Sequence, residues 1–406
     1  MSAKRSSVAA VLAGGAGNPA WVAGRVLQIA GERAAICDET GTLWVELDPP
    51  RPDLEPGAWV EARGRWLGTH LQGTLGLLGL PRRPFPAPDG EWRSLRESGR
   101  LQRLRARARM LAAVRAFFDD EGFLEVETPT MVPSPGLDPH LDAYRVEGLE
   151  GADARWLITS PEYQMKRLLA GGAERIYQTA RCFRRGERGP LHEPEFTMVE
   201  WYRAFAGVDD VMRDTETLVA HVARATLGGT TIAPAHGASV DVAPPWERLT
   251  VRDAFRRYAG VEMDAVLPDE ERFFRLLVEA IEPRLGRERP VFLTHWPITM
   301  ASLARSSPED PSVCERFEAY VAGVELCNGF GELVDPDEQR LRLERDQRAR
   351  EAMGKPVYPI DERFVASLEE GIPPSGGNAL GFDRLVMLLL GTERVQDVVA
   401  LPYARL

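Results

Sequence analysis

Residues 181–203, RCFRRGERGPLHEPEFTMVEWYR, crowd five arginines, four glutamates, one histidine and four aromatic rings around a turn. The segment 177–183 has the apolar and aromatic content of a strand, and 195–202 alternates like a second one. Between them, residues 185–194 carry Gly186, Gly189, Pro190 and Pro194 and read as a loop. Alternate residues of a strand share a face, which sets Phe196, Met198, Glu200 and Tyr202 side by side. If the strands pair as a hairpin, Arg184 lies beside that face. An arginine, an aromatic plate, a carboxylate and a phenol together suit a phosphate, a flat ring and a cationic substrate. A charged hairpin can also be a solvated ribbon and nothing more. The run from Pro194, Glu195 and Phe196 into alternating acid and aromatic argues against that.

Residues 315–333, ERFEAYVAGVELCNGFGEL, hold a second set. A two-residue turn at Ala322 and Gly323 sets Tyr320 opposite Glu325 and Glu318 opposite Cys327, so that Glu318 and Glu325 lie diagonally on one face. Two carboxylates so close repel unless a cation stands between them, and a phosphate-bound magnesium ion is the natural one. By the same period of two, Asn328, Phe330 and Glu332 share a face. Residues 373–391, PPSGGNALGFDRLVMLLLG, place four glycines about an apolar helix whose first turn carries Asp383 and Arg384. Glycine lets backbone approach a ligand, and an arginine fixed on a helix clamps phosphate. No G-K-[ST] follows, which excludes a P-loop. In TSPEYQMKRLLA, residues 159–170, Ser160 reads as a helix N-cap, Pro161 as the first helical residue and Glu162 as a first-turn acid.

These residues need rigid elements beneath them. A chain of 406 residues with 44% hydrophobic content can bury a large core and is expected to hold two unequal domains. The net charge of −11 does not support a broadly basic nucleic-acid surface. Only Lys4, Lys166 and Lys355 among the 50 basic residues are lysines. Cys37, Cys182, Cys314 and Cys327 are scattered without CxxC spacing, so neither zinc nor a disulfide framework is indicated and a reducing cytoplasm fits. The first 18 residues read as a disordered tail, their apolar run being too short for a signal peptide. No run is long enough to span a bilayer. Residues 19–85 form five short strands with glycine at the corners, the pattern of a small OB-like β-barrel. Trp44, Trp59 and Trp66 within it are expected to fill its core rather than stack bases. A proline-rich linker at 81–90 follows. Leu101, Leu104, Leu111, Val114 and Phe118 then recur at helical spacing up to Gly122, and residues 123–129, FLEVETP, read as a strand. Residues 208–290 are helical, carry no motif, and read as an insertion or scaffold; His221 and His236 there are not ligands.

The stretches FLEVETP with its preceding helix, CFRRGERGPLHEPEFTMVEWY and GNALGFDRLVML, in that order, resemble the three motifs of class II aminoacyl-tRNA synthetases. Within that class TSPEYQMKRLL, HEPEFTMVEWY and ELCNGFGEL resemble the lysine branch, and THWPITMASLA resembles the elongation factor P lysine ligases, its paralogous family. The likeness covers residues 95–406. It implies an α+β fold, with an antiparallel sheet flanked by helices following the barrel, and a homodimer formed through the first motif.

What the resemblance implies for the site can be carried over position by position. Arg184 would hold the α-phosphate of ATP, His192 would lie near the outer phosphates, Phe196 would stack on adenine and Arg384 would cover the ring. Arg185, Glu193, Leu326 and Gly381 would border the nucleotide, and Glu318 and Glu325 would hold Mg2+. Glu162, Glu200, Tyr202, Asn328, Phe330 and Glu332 would surround a diamino acid. Ser160 and Ala379 stand where synthetases of the lysine branch usually have alanine and glycine, and imply (R)-β-lysine. Two departures from the family pattern fall at Arg184-Arg185-Gly186 and at His192-Glu193-Pro194-Glu195, with Glu187 available to replace the displaced acid. The activity implied is adenylation of lysine or (R)-β-lysine and transfer to a lysine of elongation factor P. The alternatives are charging of tRNA and a non-catalytic nucleotide-binding paralogue.

Overall fold

The computed structural model describes residues 4–406, which divide into two compact units, one up to Gly99 and one from Arg100 to Leu406. In the first unit a short helix, α1 (Val8–Ala13), precedes the strands β1 (Pro19–Ala30), β2 (Arg33–Cys37), β3 (Thr42–Glu46), β4 (Trp59–Trp66) and β5 (Leu71–Gly79). They close into a barrel in the order β1-β2-β3-β5-β4. Each strand turns alternate apolar residues, among them Val22, Val26, Ile36, Val45 and Val60, into one core.

Helix α1 corrects the expectation of a disordered tail, whose first three residues lie outside the described ones. Val8 and Val11 are buried in the barrel core, Ser7 caps the helix, and the Val8 N–H donates to Asp38 Oδ2 at 2.8 Å. Of the three tryptophans singled out in the barrel, only Trp66 is buried in the core, and Trp44 is half-buried. Trp59 is 48% exposed, with the Arg25 guanidinium 4.8 Å from its ring centroid.

The second unit opens with α2 (Arg100–Asp120), the edge strand β6 (Leu124–Glu125) and a ribbon of β7 (Met131–Val132) with β8 (Trp156–Leu157). Helix α3 (Glu162–Ala170) leads into the hairpin β9 (Arg175–Phe183) and β10 (Glu195–Ala204). There follow α4 (Val208–Leu227), the ribbon β11 (Thr231–Ile232) and β12 (Val240–Asp241), and strand β13 (Glu247–Thr250). Three short helices, α5 (Val251–Ala254), α6 (Met263–Val266) and α7 (Glu270–Leu276), precede β14 (Val291–Pro297), β15 (Val313–Val321) and β16 (Val324–Gly331). The chain closes with α8 (Pro336–Ala352), α9 (Glu362–Glu370), β17 (Ser375–Gly381) and α10 (Phe382–Leu389).

One sheet of eight strands, in the order β13-β14-β15-β16-β17-β10-β9-β6, organises this unit. The strands pair antiparallel except at the two edges, where β13 joins β14 and β6 joins β9 in parallel. One face of the sheet is sealed by α2, α4 and α10, whose apolar stripes meet Val199, Trp201, Phe317, Cys327 and Leu380. Helix α4, read from the sequence as part of an insertion, thus lies against the centre of the sheet. It also accepts a hydrogen bond there, from Asn378 Nδ2 to Thr215 Oγ1 at 2.8 Å.

The stretch read as a glycine-rich lead-in is itself a central strand, β17, between β16 and β10. Glycine is a poor strand former, so local propensity hides this. The reason for it is packing: a Cβ on Gly377 would overlap the Tyr202 ring, and one on Gly376 would come 2.6 Å from Val211 Cγ2. The turn at Ala322 and Gly323 forms, both residues taking positive φ. The register beyond it differs from expectation. Tyr320 does pair with Glu325, but the ladder shifts at that point and leaves Leu326 unpaired. Ala319 therefore faces Cys327, and Glu318 faces Asn328 rather than Cys327. Helix α3 begins at Glu162 with Pro161, not Ser160, at the cap.

Candidate active site

The sheet's register aligns a row of side chains across four adjacent strands. Glu200 on β10 pairs with Ala379 on β17, Ala379 with Asn328 on β16, and Asn328 with Glu318 on β15. Directly paired residues point to the same side, so this row floors one face of the sheet. The next row, Tyr202, Gly377, Phe330 and Arg316, runs parallel to it. Above them opens a cavity of about 670 Å³. Its wall takes in Ser160, two residues before α3, and Glu162 at the start of α3, Arg184, Glu187, His192, Glu193 and Phe196 from the hairpin, and Glu318, Glu325, Leu326 and Asn328 from the second hairpin. Ala379, Gly381 and Arg384 complete it.

Two ends of the cavity differ in charge. At one, the Arg184 guanidinium lies 5.0 Å from the Phe196 ring centroid, with Nη1 3.8 Å from Glu187 Oε2. Arg384 reaches both hairpins: Nη1 donates to the Glu325 carbonyl at 2.9 Å and to its Oε2 at 3.1 Å, and Nη2 meets His192 Nε2 at 2.7 Å. Burial, and then Arg384, holds the His192 pKa below its ordinary value, so the neutral ring presents Nε2 as acceptor to the guanidinium. Arg384 is aimed by its neighbour. Asp383 accepts the Thr197 N–H at 2.9 Å and pairs with Arg107 Nη1 at 2.5 Å, while Arg107 Nη2 donates to Thr197 Oγ1 at 2.9 Å. Helices α2 and α10 and strand β10 are thereby locked together next to Phe196.

The other end is acidic and dry. Glu200 is buried; its Oε1 accepts from Tyr202 OH at 2.6 Å and its Oε2 from Ser160 Oγ at 2.7 Å. Burial, and then the charge of Glu162, pushes it up to about 8. Glu318 has both oxygens bonded, to Arg316 Nη2 and to Tyr320 OH, each at 2.7 Å. Burial still raises it to about 7, with Arg316 opposing and Glu325 adding to the rise. Glu332 is 1% exposed, and among the described residues its Oε1 has no hydrogen-bond partner. A buried acceptor left open is the condition under which a donor from a ligand binds with most gain.

Most of the residues singled out in the sequence thus come together, with seven differing in detail. Glu200, Tyr202, Phe330 and Glu332 stand directly behind the cavity wall rather than on it. Arg185 is not on the wall; its side chain is half exposed and turned to Asp142, 4.0 Å away. The Glu193 carboxylate is engaged by Gln396 Nε2 and by the Tyr403 N–H, both at 2.7 Å, and so anchors the C-terminal segment. Gly381 meets no clash that would demand glycine.

Sequence reasoning missed Arg316, which holds Glu318, donates to Asn328 Oδ1 at 3.3 Å and lies 4.3 Å from the Trp296 ring centroid. It also missed Lys166, buried 2.6 Å from Glu162 Oε1 and 2.5 Å from Glu332 Oε2. The first contact was legible as a Glu-to-Lys step of four on a helix; the second required the fold. All four cysteines are buried and free, and no helix among the described residues is long and apolar enough to cross a membrane.

The family of class II tRNA synthetases (D, K and N) matches residues 89–405. The chain is 41% identical over 335 residues to an elongation factor P (R)-β-lysine ligase of Proteus mirabilis, the match covering 76% of this chain and 97% of that protein. The ligase of the same name from Edwardsiella ictaluri is 43% identical over 317 residues, with the same coverage. That from Yersinia enterocolitica is 42% identical over 326 residues, covering 78% of this chain and 99% of its own.

Glu200 also fixes a pH dependence. With its pKa at about 8 the empty site carries a proton there at neutral pH, whereas an ammonium ligand needs the carboxylate. Binding of an ammonium ligand against Glu200 is therefore expected to release a proton and to tighten as the pH rises from about 6 to about 8. Calorimetric titration at neutral pH in buffers of different ionisation enthalpy measures that proton; a heat of binding independent of the buffer would contradict the assignment.

Proposed function

This chain belongs to the family of class II tRNA synthetases (D, K and N), and on that basis we propose that it activates a lysine-type diamino acid with ATP and transfers it to a lysine side chain of elongation factor P. The observation that carries this reading is the cavity with Arg384 and, against the Phe196 ring, Arg184 at one end and the row of Glu200, Ala379, Asn328 and Glu318 along its floor. One end suits a nucleoside triphosphate and the other a carboxylic acid bearing ammonium groups.

In the first step a carboxylate oxygen of the amino acid attacks the α-phosphorus of ATP. The new P–O bond forms as the bond to the β-phosphate breaks, giving an aminoacyl-adenylate and pyrophosphate. Arg184 and Arg384, both mounted on rigid elements, face the charge that develops on the phosphoryl oxygens. Among the described residues no group of three His, Cys, Asp or Glu is arranged to hold a metal. That fits magnesium, which keeps several waters and takes other oxygens from phosphate, needing only one or two carboxylates. Glu318 and Glu325 would supply those, and the ion, when bound, would neutralise charge on the outer phosphates.

In the second step an amine attacks the adenylate carbonyl, a C–N bond forms, and AMP leaves. If that amine is a lysine side chain it must first lose a proton, which from its ordinary pKa costs about 4 to 5 kcal/mol at neutral pH.

The isomer of lysine is assigned to Ala379 and Ser160. Ala379 lies in register between Glu200 and Asn328 and borders the cavity, so its methyl group occupies space beside the seat of an α-ammonium. Ser160 Oγ, already bonded to Glu200, offers an oxygen to an ammonium displaced to the β carbon. A second copy of the chain would cover the first motif. Leu101 and Leu104 on α2 are only half-buried, and Leu124 on edge strand β6 is 60% exposed.

Five outcomes are expected. Pyrophosphate exchange should depend on lysine or (R)-β-lysine, transfer should go to elongation factor P rather than to tRNA offered beside it, and Arg184→Ala or Arg384→Ala should lower exchange about a hundredfold or more, the size of one lost transition-state contact. Exchange within threefold of wild type in either variant would mean that the phosphates lie elsewhere. Wild type should prefer (R)-β-lysine over L-α-lysine by about ten- to two-hundredfold, the worth of a methyl or a hydrogen bond, and Ala379→Gly should shrink that ratio. A ratio left untouched would acquit Ala379 of the selection. Light scattering at micromolar concentration should give the mass of a dimer; a monomer there would remove the proposed interface.

A further inference from the structure

Beneath the acidic end of the cavity, one ammonium touches two carboxylates, and a third lies in the same cluster. Lys166 Nζ lies 2.6 Å from Glu162 Oε1, 2.5 Å from Glu332 Oε2 and 6.0 Å from the Tyr202 ring centroid, and its side chain is 1% exposed. Glu200 stands in the same cluster through Tyr202 and Ser160. The groups facing this point are Glu162 and Lys166 from α3, Glu200 and Tyr202 from β10, Glu332 from the end of β16, and Arg305 beyond Glu332. Burial opposes the charge on Lys166, but Glu162 and Glu332 overcome it and hold its pKa above the ordinary lysine value. The ammonium is therefore permanent.

The choice of residue is informative. Only three of the 50 basic residues in this chain are lysines, so a sequence that writes nearly all its cations as arginine keeps lysine here. A guanidinium is a wide planar fork, whereas an ammonium is a compact point charge that can touch two carboxylates from different elements at once. Within this buried cluster the charge of Glu162 raises the pKa of both Glu200 and Glu332.

We propose that Lys166 is a positioning residue for charge: an internal counter-cation that neutralises one of the three carboxylates Glu162, Glu200 and Glu332, and so leaves the pocket two negative charges to meet the two ammonium groups of its substrate. This rests on the reading that the substrate is a diamino acid. With Lys166 in place, a ligand with two ammonium groups balances the site, and a ligand with one leaves a buried carboxylate unpaired. Without Lys166 the acids protonate instead, and the seats for both ammonium groups weaken.

The test uses the full-length protein as wild type, Lys166→Met and Lys166→Arg. It measures KM for the diamino acid and for ATP by pyrophosphate exchange between about pH 6 and pH 9, with the melting temperature alongside. In Lys166→Met the amino acid KM should rise about tenfold or more at neutral pH, ATP KM should stay within about threefold, and the pH at which amino acid binding tightens should move up by about one unit or more. Lys166→Arg should return that pH part of the way. An unmoved pH midpoint, or a rise of both KM values together with a fall in melting temperature, makes Lys166 a structural ion pair and overturns the proposal. Should the Met variant not fold, wild type still decides: 6-aminohexanoate, with one ammonium, should bind at least about tenfold more weakly than lysine. Binding within threefold overturns the count of two charges. Absence of exchange with any diamino acid in the wild type would overturn the underlying reading, a result separate from either of these.

Discussion

Buried carboxylates are the constraint that shapes this molecule. Glu200, Glu318 and Glu332 lie on one side of a sheet with almost no access to water, and an ionised carboxylate in such a place is costly unless donors or cations surround it. Each has its own solution. Glu318 is gripped by Arg316 and Tyr320, Glu200 by Tyr202 and Ser160, and Glu332 by Lys166, which leaves one oxygen open. The partners come from α3, β10 and β15, so the elements cannot slide without breaking the compensation. A site that must hold cations in the absence of water has thus been built with its charges nearly, but not fully, balanced.

The sheet supplies the geometry for that balance. Strand β17 can run between β16 and β10 only because Gly376 and Gly377 carry no side chains; the Tyr202 ring takes the volume a Cβ on Gly377 would fill. That same ring presents its hydroxyl to Glu200. The absence of a side chain on one strand therefore sets the donor for an acid on the next. On the far face, Val199, Trp201 and Leu380 alternate with these residues and anchor the sheet in the apolar core under α2, α4 and α10. Period two couples the two sides, since any slip of register that displaced Glu200 would also drive Trp201 out of the core.

Much of this was legible in the chain. The alternation of Phe196, Met198, Glu200 and Tyr202 reports a half-polar, half-apolar strand, and that strand formed as read. The five barrel strands, with glycine at their corners, were equally plain. What was hidden followed from contacts distant in sequence. Strand β17 has the composition of a loop and becomes a strand through its neighbours, and the ladder shift that leaves Leu326 unpaired and turns Glu318 to Asn328 has no local signature. Helix α1 is too short to declare itself and exists because Val8 and Val11 reach the barrel core. Lys166 was half legible: its helical neighbour Glu162 could be counted, while Glu332 lies 166 positions further along the chain.

The two ends of the cavity obey one rule with opposite signs. At the arginine end each cation rests against an acid, Arg184 near Glu187 and Arg384 on Glu325, as at the other end each acid rests against a donor. Exposure separates them. Glu187 and Glu325 have side chains 28% and 40% exposed, so a ligand that drew the guanidinium groups away would leave these acids open to water or to a cation at little cost. Glu200 and Glu332 have no such recourse, and a ligand there must bring charge that matches what it displaces. Discrimination among substrates is therefore expected to reside in the buried end, where mispairing is expensive. On the proposed reading, the exposed end is suited to gripping and releasing the nucleotide.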